Sequence, residues 1–209
     1  MTATGLLGGS FNPAHGGHRA ISLFAIRALG LDEMWWLVSP GNPLKPAAGM
    51  APLPARLASA GRAARRAPIV PTAIEARLGT RFTVDTIAAL VRRYPRRRFI
   101  WVMGADNLAQ FHRWRDWRRI ARLVPIAVIA RPGYDARAQR SIAMGWLRRD
   151  VRPARQALDW TLWSPPAIVL LRFRPDPRSA TALRLRDPLW HQHIHPKAPR
   201  DRLSRRPVT

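Results

Sequence analysis

Short apolar runs alternate with amphipathic stretches through the first two thirds of the chain. The runs over Thr4–Gly8, Met34–Val38, Pro68–Pro71, Phe99–Met103 and Ile126–Ala130 are of strand length and nearly free of polar residues, as expected of strands covered on both faces. Between them, apolar residues return at helical spacing. Ile21, Phe24, Ala25, Ala28 and Leu29 mark one face of a helix over Gly17–Leu29, and Gly30 is placed to stop it. Val84, Ile87, Ala88 and Val91 do the same over Thr83–Arg93, and further helices are predicted over Leu53–Arg66 and Leu108–Leu123. Strand followed by helix followed by strand is the pattern of parallel βαβ units, so the expected fold is α/β, an open parallel sheet with helices on both faces.

After about Asp135 the pattern weakens. Ala138–Leu162 is basic and helical in composition, Ala167–Phe173 reads as a last apolar strand, and Ser179–Arg186 contains the start of a short helix. Beyond Asp187 the chain is rich in Pro, Arg and His with almost no apolar periodicity. The expected division is therefore one domain over residues 1–186 and a mobile basic tail over 187–209. Pro40–Pro54 holds five prolines and two glycines, too many for regular structure, so it is expected to be a loop of functional length.

Charge changes this picture more than composition does. Of 209 residues, 36 are basic and 12 acidic, a formal charge of +24, and only Lys45 and Lys197 among the basic residues are not arginine. Such an excess is what a nucleic-acid binder shows. However, hydrophobic residues make up 47% of the chain, which excludes a disordered polycation, and the arginines are spread through nearly every predicted helix with no recognised nucleic-acid motif. Specific nucleic-acid binding is thus not expected, although Arg92–Arg98, Arg113–Arg122 and the tail keep it as the rival from another class. No run of 18 apolar residues exists, so no membrane partner is expected. The absence of cysteine removes disulfides, thiolate metal sites and cysteine nucleophiles, and a reducing cytoplasm is the simplest compartment.

The most informative stretch is Gly8-Gly9-Ser10-Phe11-Asn12-Pro13-Ala14-His15-Gly16-Gly17-His18, between the first strand and the first helix. An open α/β sheet binds its ligand there, at the carboxyl ends of the strands. Glycines let the backbone approach a phosphate, and a helix start offers N–H groups and a positive dipole end to an anion. His15 and His18, three residues apart, can face the same ligand. The stretch resembles the signature of the HxGH nucleotidyltransferase superfamily, whose fold is Rossmann-like. Further segments narrow the resemblance: Asn42-Pro43-Leu44-Lys45, Arg81-Phe82-Thr83-Val84-Asp85-Thr86, Gly104-Ala105-Asp106-Asn107, then Phe111, Trp114 and Trp117, Arg131-Pro132-Gly133, and Ser179-Ala180-Thr181-Ala182-Leu183-Arg184. In this order they are similar to the bacterial nicotinate-nucleotide adenylyltransferase family, from about Gly5 to Arg184.

That resemblance implies adenylyl transfer from ATP to nicotinate mononucleotide, releasing pyrophosphate, with Mg2+ carried on the ATP and no dedicated protein metal site. It implies that Gly8, Gly9, Ser10, Phe11, His15, His18, Asp106, Ser179, Thr181 and Arg184 bind ATP. His15, His18, Lys45 and Arg184 would be the catalytic residues, and Lys45, Thr83 and Trp114 would hold the nicotinate nucleotide. The residues have plainer readings too. Lys45 could be one solvated lysine, Trp114 a core side chain among nine tryptophans, and Asp106 an N-cap. Ala180 departs from the family's Ser-Ser-Thr and removes one side-chain hydroxyl. Another nucleotidyl transfer, to nicotinamide mononucleotide or a pantetheine phosphate, is the nearest rival. His191, His193 and His195 lie in a proline-rich stretch where solvation is the simpler reading.

Overall fold

The computed structural model of the chain describes residues 1–41, 49–130, 135–173, 187, 189–192 and 199–208. The apolar runs become strands β1 (Thr2–Gly9), β2 (Glu33–Val38), β3 (Ile69–Thr72), β4 (Arg97–Gly104), β5 (Ile126–Ala130), β6 (Val151–Arg152) and β7 (Ile168–Arg172). They form one sheet in the order β3-β2-β1-β4-β5-β7-β6. Every pairing in it is parallel. Helices connect them: α1 (Gly16–Leu29), α2 (Leu53–Ala63), α3 (Ile74–Leu78), α4 (Thr83–Arg93), α5 (Ala105–Gln110), α6 (Trp117–Leu123), α7 (Asp135–Gln139) and α8 (Ile142–Leu147).

Strand alternation divides the core into two layers. Trp35 and Leu37 of β2, Phe99, Trp101 and Met103 of β4, and Ile126 and Val128 of β5 face α4, α5, α6 and α8. Met34, Trp36 and Val38, Ile100 and Val102, and Ala127 and Ile129 face α1, α2 and a 3-10 segment over Ala154–Leu162. From β1 the chain builds outward through β2 and β3, then returns to lay β4 on the other side of β1. The crevice above the carboxyl ends of β1 and β4 is therefore the switch point where open α/β sheets bind ligands.

Three expectations need correction. The helix predicted over Leu108–Leu123 is broken into α5, a 3-10 turn over Phe111–Arg113, and α6. Trp114 is extended and Asp116 takes a left-handed conformation (φ 46°), which ends one helix and starts the next. The basic stretch from Ala138 to Leu162 is not one helix but α7, α8, the two residues of β6 and 3-10 turns, because its apolar residues pack at irregular intervals. Asp106 is not the N-cap of α5; Gly104 is, with no side-chain cap.

Residues 199–208 show contacts for which the sequence pattern gave no reason. Asp201 is 2% exposed and sits against the end of β3. Its Oδ2 accepts from the Thr72 hydroxyl (2.7 Å) and the Ala73 N–H (2.6 Å). Its Oδ1 accepts from the N–H groups of Leu203 (2.9 Å) and Ser204 (2.7 Å).

Candidate active site

The turn after β1 is shaped by its own side chains. A Cβ on Gly8 would lie 2.6 Å from the Trp101 ring, so glycine is needed there for the indole packed across the backbone rather than for a phosphate. Phe11 has φ 46°, a left-handed backbone rare for an aromatic residue. Packing holds it: the ring is 1% exposed, stacks on Trp36 (5.0 Å between centroids) and tilts against His18 (4.8 Å).

His15 and His18 close the start of α1 on each other. His15 Nδ1 accepts from the Gly17 N–H (3.1 Å) and His18 Nδ1 accepts from the His15 N–H (3.3 Å), forming a capping box. Their rings are 4.0 Å apart. An imidazole nitrogen that accepts a hydrogen bond carries no proton, so this box fixes both neutral rings with N–H at Nε2. Two donors of one tautomer thus stand beside the positive end of a 14-residue helix.

A cleft of about 350 Å³ opens at the switch point. Gly8, Gly9 and Ser10 form its floor, and Thr83 and Trp114 line it with Trp101 and Phe82. Thr83 is the first residue of α4, so its hydroxyl stands among the free N–H groups of a helix start. Trp114 is half-buried, meeting Trp101 (6.1 Å, 81°) and Phe111 (5.4 Å, 75°) edge to face and leaving indole surface for the cleft. Asp106 is exposed and does not line the cleft; its carboxylate folds back over Gly104. Lys45, Ser179, Thr181, Arg184 and the Arg131-Pro132-Gly133 corner lie outside the described residues, as do His193 and His195.

Several cleft residues were given no role by the sequence, although Arg81 and Asn107 lie within the motif segments quoted above. Ser39 and Gly41 follow β2, and Arg81, Asn107, Gln110, Arg113 and Arg115 complete the wall. Ser39 was findable, since it follows a strand directly at the carboxyl edge. Glu75 had no sequence signal. It lines the cleft from α3, and burial pushes its carboxyl up to about 7, partly offset by hydrogen bonds from Ser39 and Thr86. Among the described residues, no three histidine, aspartate or glutamate side chains converge as a metal cage.

Parallel strands meeting a glycine turn, with a histidine pair capping the next helix, define a nucleotidyltransferase, and the Cytidylyltransferase-like family model matches residues 6–186. A protein of Erythrobacter litoralis named "Probable nicotinate-nucleotide adenylyltransferase" is 66% identical over 90% of this chain and 85% of its own length. Relatives of the same name from Cereibacter sphaeroides and Parvibaculum lavamentivorans are 55% and 53% identical, over 86% and 87% of this chain and 95% and 90% of theirs. The chain belongs to the nicotinate-nucleotide adenylyltransferase family. Its fold is also that of Plasmodium falciparum nicotinic acid mononucleotide adenylyltransferase solved with NaAD, at a TM-score of 0.65 and 14% identity, over 88% of this chain and 83% of that one. Among the described residues no helix is long and apolar enough to cross a membrane.

Proposed function

We propose that this chain transfers the adenylyl group of ATP to nicotinate mononucleotide, a step of NAD biosynthesis. A phosphate oxygen of nicotinate mononucleotide attacks the α-phosphorus in line. The new P–O bond forms as the bond from the α-phosphorus to the αβ-bridging oxygen breaks, and pyrophosphate leaves with that electron pair. The attacking phosphate is already anionic at neutral pH, so the step needs neither a general base nor an enzyme nucleophile. Positioning and charge stabilisation are what remain for the protein. The observation that carries this reading is the capping box, which turns His15 and His18 into a matched pair of Nε2–H donors at a helix N-terminus.

His18 is assigned to the α-phosphate, and His15 and Lys45 to the phosphate chain. Ser179, Thr181 and Arg184 are assigned to the departing pyrophosphate, and Asp106, exposed just outside the cleft, to ribose hydroxyls. Thr83 and Trp114 receive the nicotinate carboxylate and ring. Mg2+ would enter with ATP, held mainly by phosphate oxygens and water, and would neutralise part of the phosphate charge. The test is pyrophosphate release from ATP, with nicotinate and nicotinamide mononucleotides supplied in parallel. The acid is expected to be turned over and the amide not, and His18→Ala should lower kcat by about 100-fold or more. Comparable rates in the variant would remove His18 from the site, and equal use of the amide would overturn the substrate.

A further inference from the structure

Arg56, in the first turn of α2, is 1% exposed. A buried cation usually has a carboxylate beside it, because its desolvation is otherwise uncompensated. Among the described residues Arg56 has no ion pair. Its guanidinium is instead spread over four backbone carbonyls. Nε donates to Ala51 (2.8 Å), one terminal nitrogen to Ser10 (2.8 Å) and Ser39 (2.6 Å), and the other to Pro40 (3.2 Å). These carbonyls come from three places: the turn after β1, the end of β2, and the far side of the loop that contains Lys45.

A trans peptide points its C=O and its next N–H in opposite directions. Drawing the Ser10 and Pro40 carbonyls onto Arg56 therefore turns the N–H groups of Phe11 and Gly41 away from it. Ser10 and Gly41 are both cleft-lining. The same junction is tied a second time by Asn12, whose side chain donates to the Gly49 carbonyl (2.8 Å) and accepts from the Ala51 N–H (3.3 Å). The Ser39 hydroxyl also donates to the Gly41 carbonyl (2.8 Å), closing the end of β2 on itself.

We propose that Arg56 is a positioning residue for phosphate binding, its planar fork fixing the glycine turn and both ends of the Lys45 loop in one mutual arrangement. The proposal rests on the adenylyl-transfer reading for its ligand, the triphosphate of ATP, but not for its geometry. It demands the fork and not merely a charge: lysine keeps the cation and cannot reach four carbonyls at once.

The experiment compares Arg56→Lys and Arg56→Gln with the unsubstituted chain by amide hydrogen exchange and by steady-state kinetics. Exchange needs no activity and so separates this proposal from the function. In Arg56→Lys, amides of residues 8–12, 39–41 and 49–51 are expected to exchange about 10-fold faster while β4 and β5 keep their protection. KM for ATP should rise about 10-fold with KM for nicotinate mononucleotide within about threefold. A folded Arg56→Lys with native exchange in those segments overturns the proposal. So does one whose KM for both nucleotides is unchanged while only its melting temperature falls, the outcome of a purely structural role. Should Arg56→Gln fail to fold, the lysine variant decides alone. Should both fail, Asn12→Ala, which releases the same loop end, must show the faster exchange over 49–51 or the junction is not what sets that order.

Discussion

Among the described residues, one carboxyl stands out for its pH dependence. Glu75 lines a cleft that is to receive anionic nucleotides, and burial already raises it from 4.5 to about 7. Between those values the folded chain keeps a proton that the unfolded chain releases. Stability from this group is full below about 4.5 and is lost as pH rises through about 7. Glu75→Gln should therefore gain on the parent between pH 5 and pH 8, by about 2 kcal/mol in unfolding free energy from denaturant titrations. The ligand feels the same charge. Above pH 7 an ionised Glu75 opposes an entering nicotinate carboxylate, so KM for nicotinate mononucleotide should climb in the parent and stay flatter in Glu75→Gln. Arg81, Arg113 and Arg115 also line the cleft but remain cationic throughout, so they do not contribute to the change. Parallel profiles for parent and variant would sink the assignment. The phosphate of the substrate titrates equally in both, so the comparison isolates the protein group.

At the scale of elements, the two histidines cap a helix and are proposed to serve the reaction, and the two roles can be pulled apart. Removing His15 by His15→Ala deletes the N-cap of α1 and should cost about 1 kcal/mol of stability. Asparagine is as good an N-cap as any residue, so His15→Asn should melt near the parent while losing most of its turnover, because no Nε2–H remains. If His15→Asn kept both stability and rate, His15 would be a cap and nothing more. Elements were also where the sequence was most and least legible. The span Thr83–Arg93 is read off its apolar spacing and found unchanged, and β5 likewise, because in both the pattern reflects a single packing surface. The break at Trp114–Asp116 was invisible, since Phe111, Trp114 and Trp117 continue a helical spacing through it. What interrupts the helix is Asp116 in a left-handed conformation, a tertiary outcome with no local signature. The site divides in the same way. His15, His18, Thr83 and Trp114 announced themselves by motif. Glu75 and Arg56 matter through burial, which spacing does not report.

For the whole molecule, charge says less about function than its size suggests. The described residues contain only two ion pairs, Arg97 with Glu33 and Arg115 with Asp116, and several of their arginines lie over rings instead, as Arg118 does over Trp117 at 4.8 Å. Scattered cations create a positive field that favours the approach of anionic nucleotides. One acidic residue near the chain end does more for the architecture than that surplus. Strand β3 is the sheet edge, and residues 199–208 pack beside it with Leu203 against one core layer and Val208 against the other. Asp201 joins them by accepting four hydrogen bonds at 2% exposure, two from Thr72 and Ala73 and two from its own turn. Ala73 immediately precedes α3, which carries Glu75 into the cleft. Replacing Asp201 by alanine leaves buried donors unpaired and should cost about 2–3 kcal/mol, a fall in Tm of roughly 5–10 °C for a chain of this size. Asp201→Asn keeps an acceptor and should fall about half as far. Because the loosened segment leads into α3, KM for nicotinate mononucleotide should rise with little change in KM for ATP. A chain cut before Pro199 that melts and turns over like the parent would show that these residues only rest on the edge of the sheet.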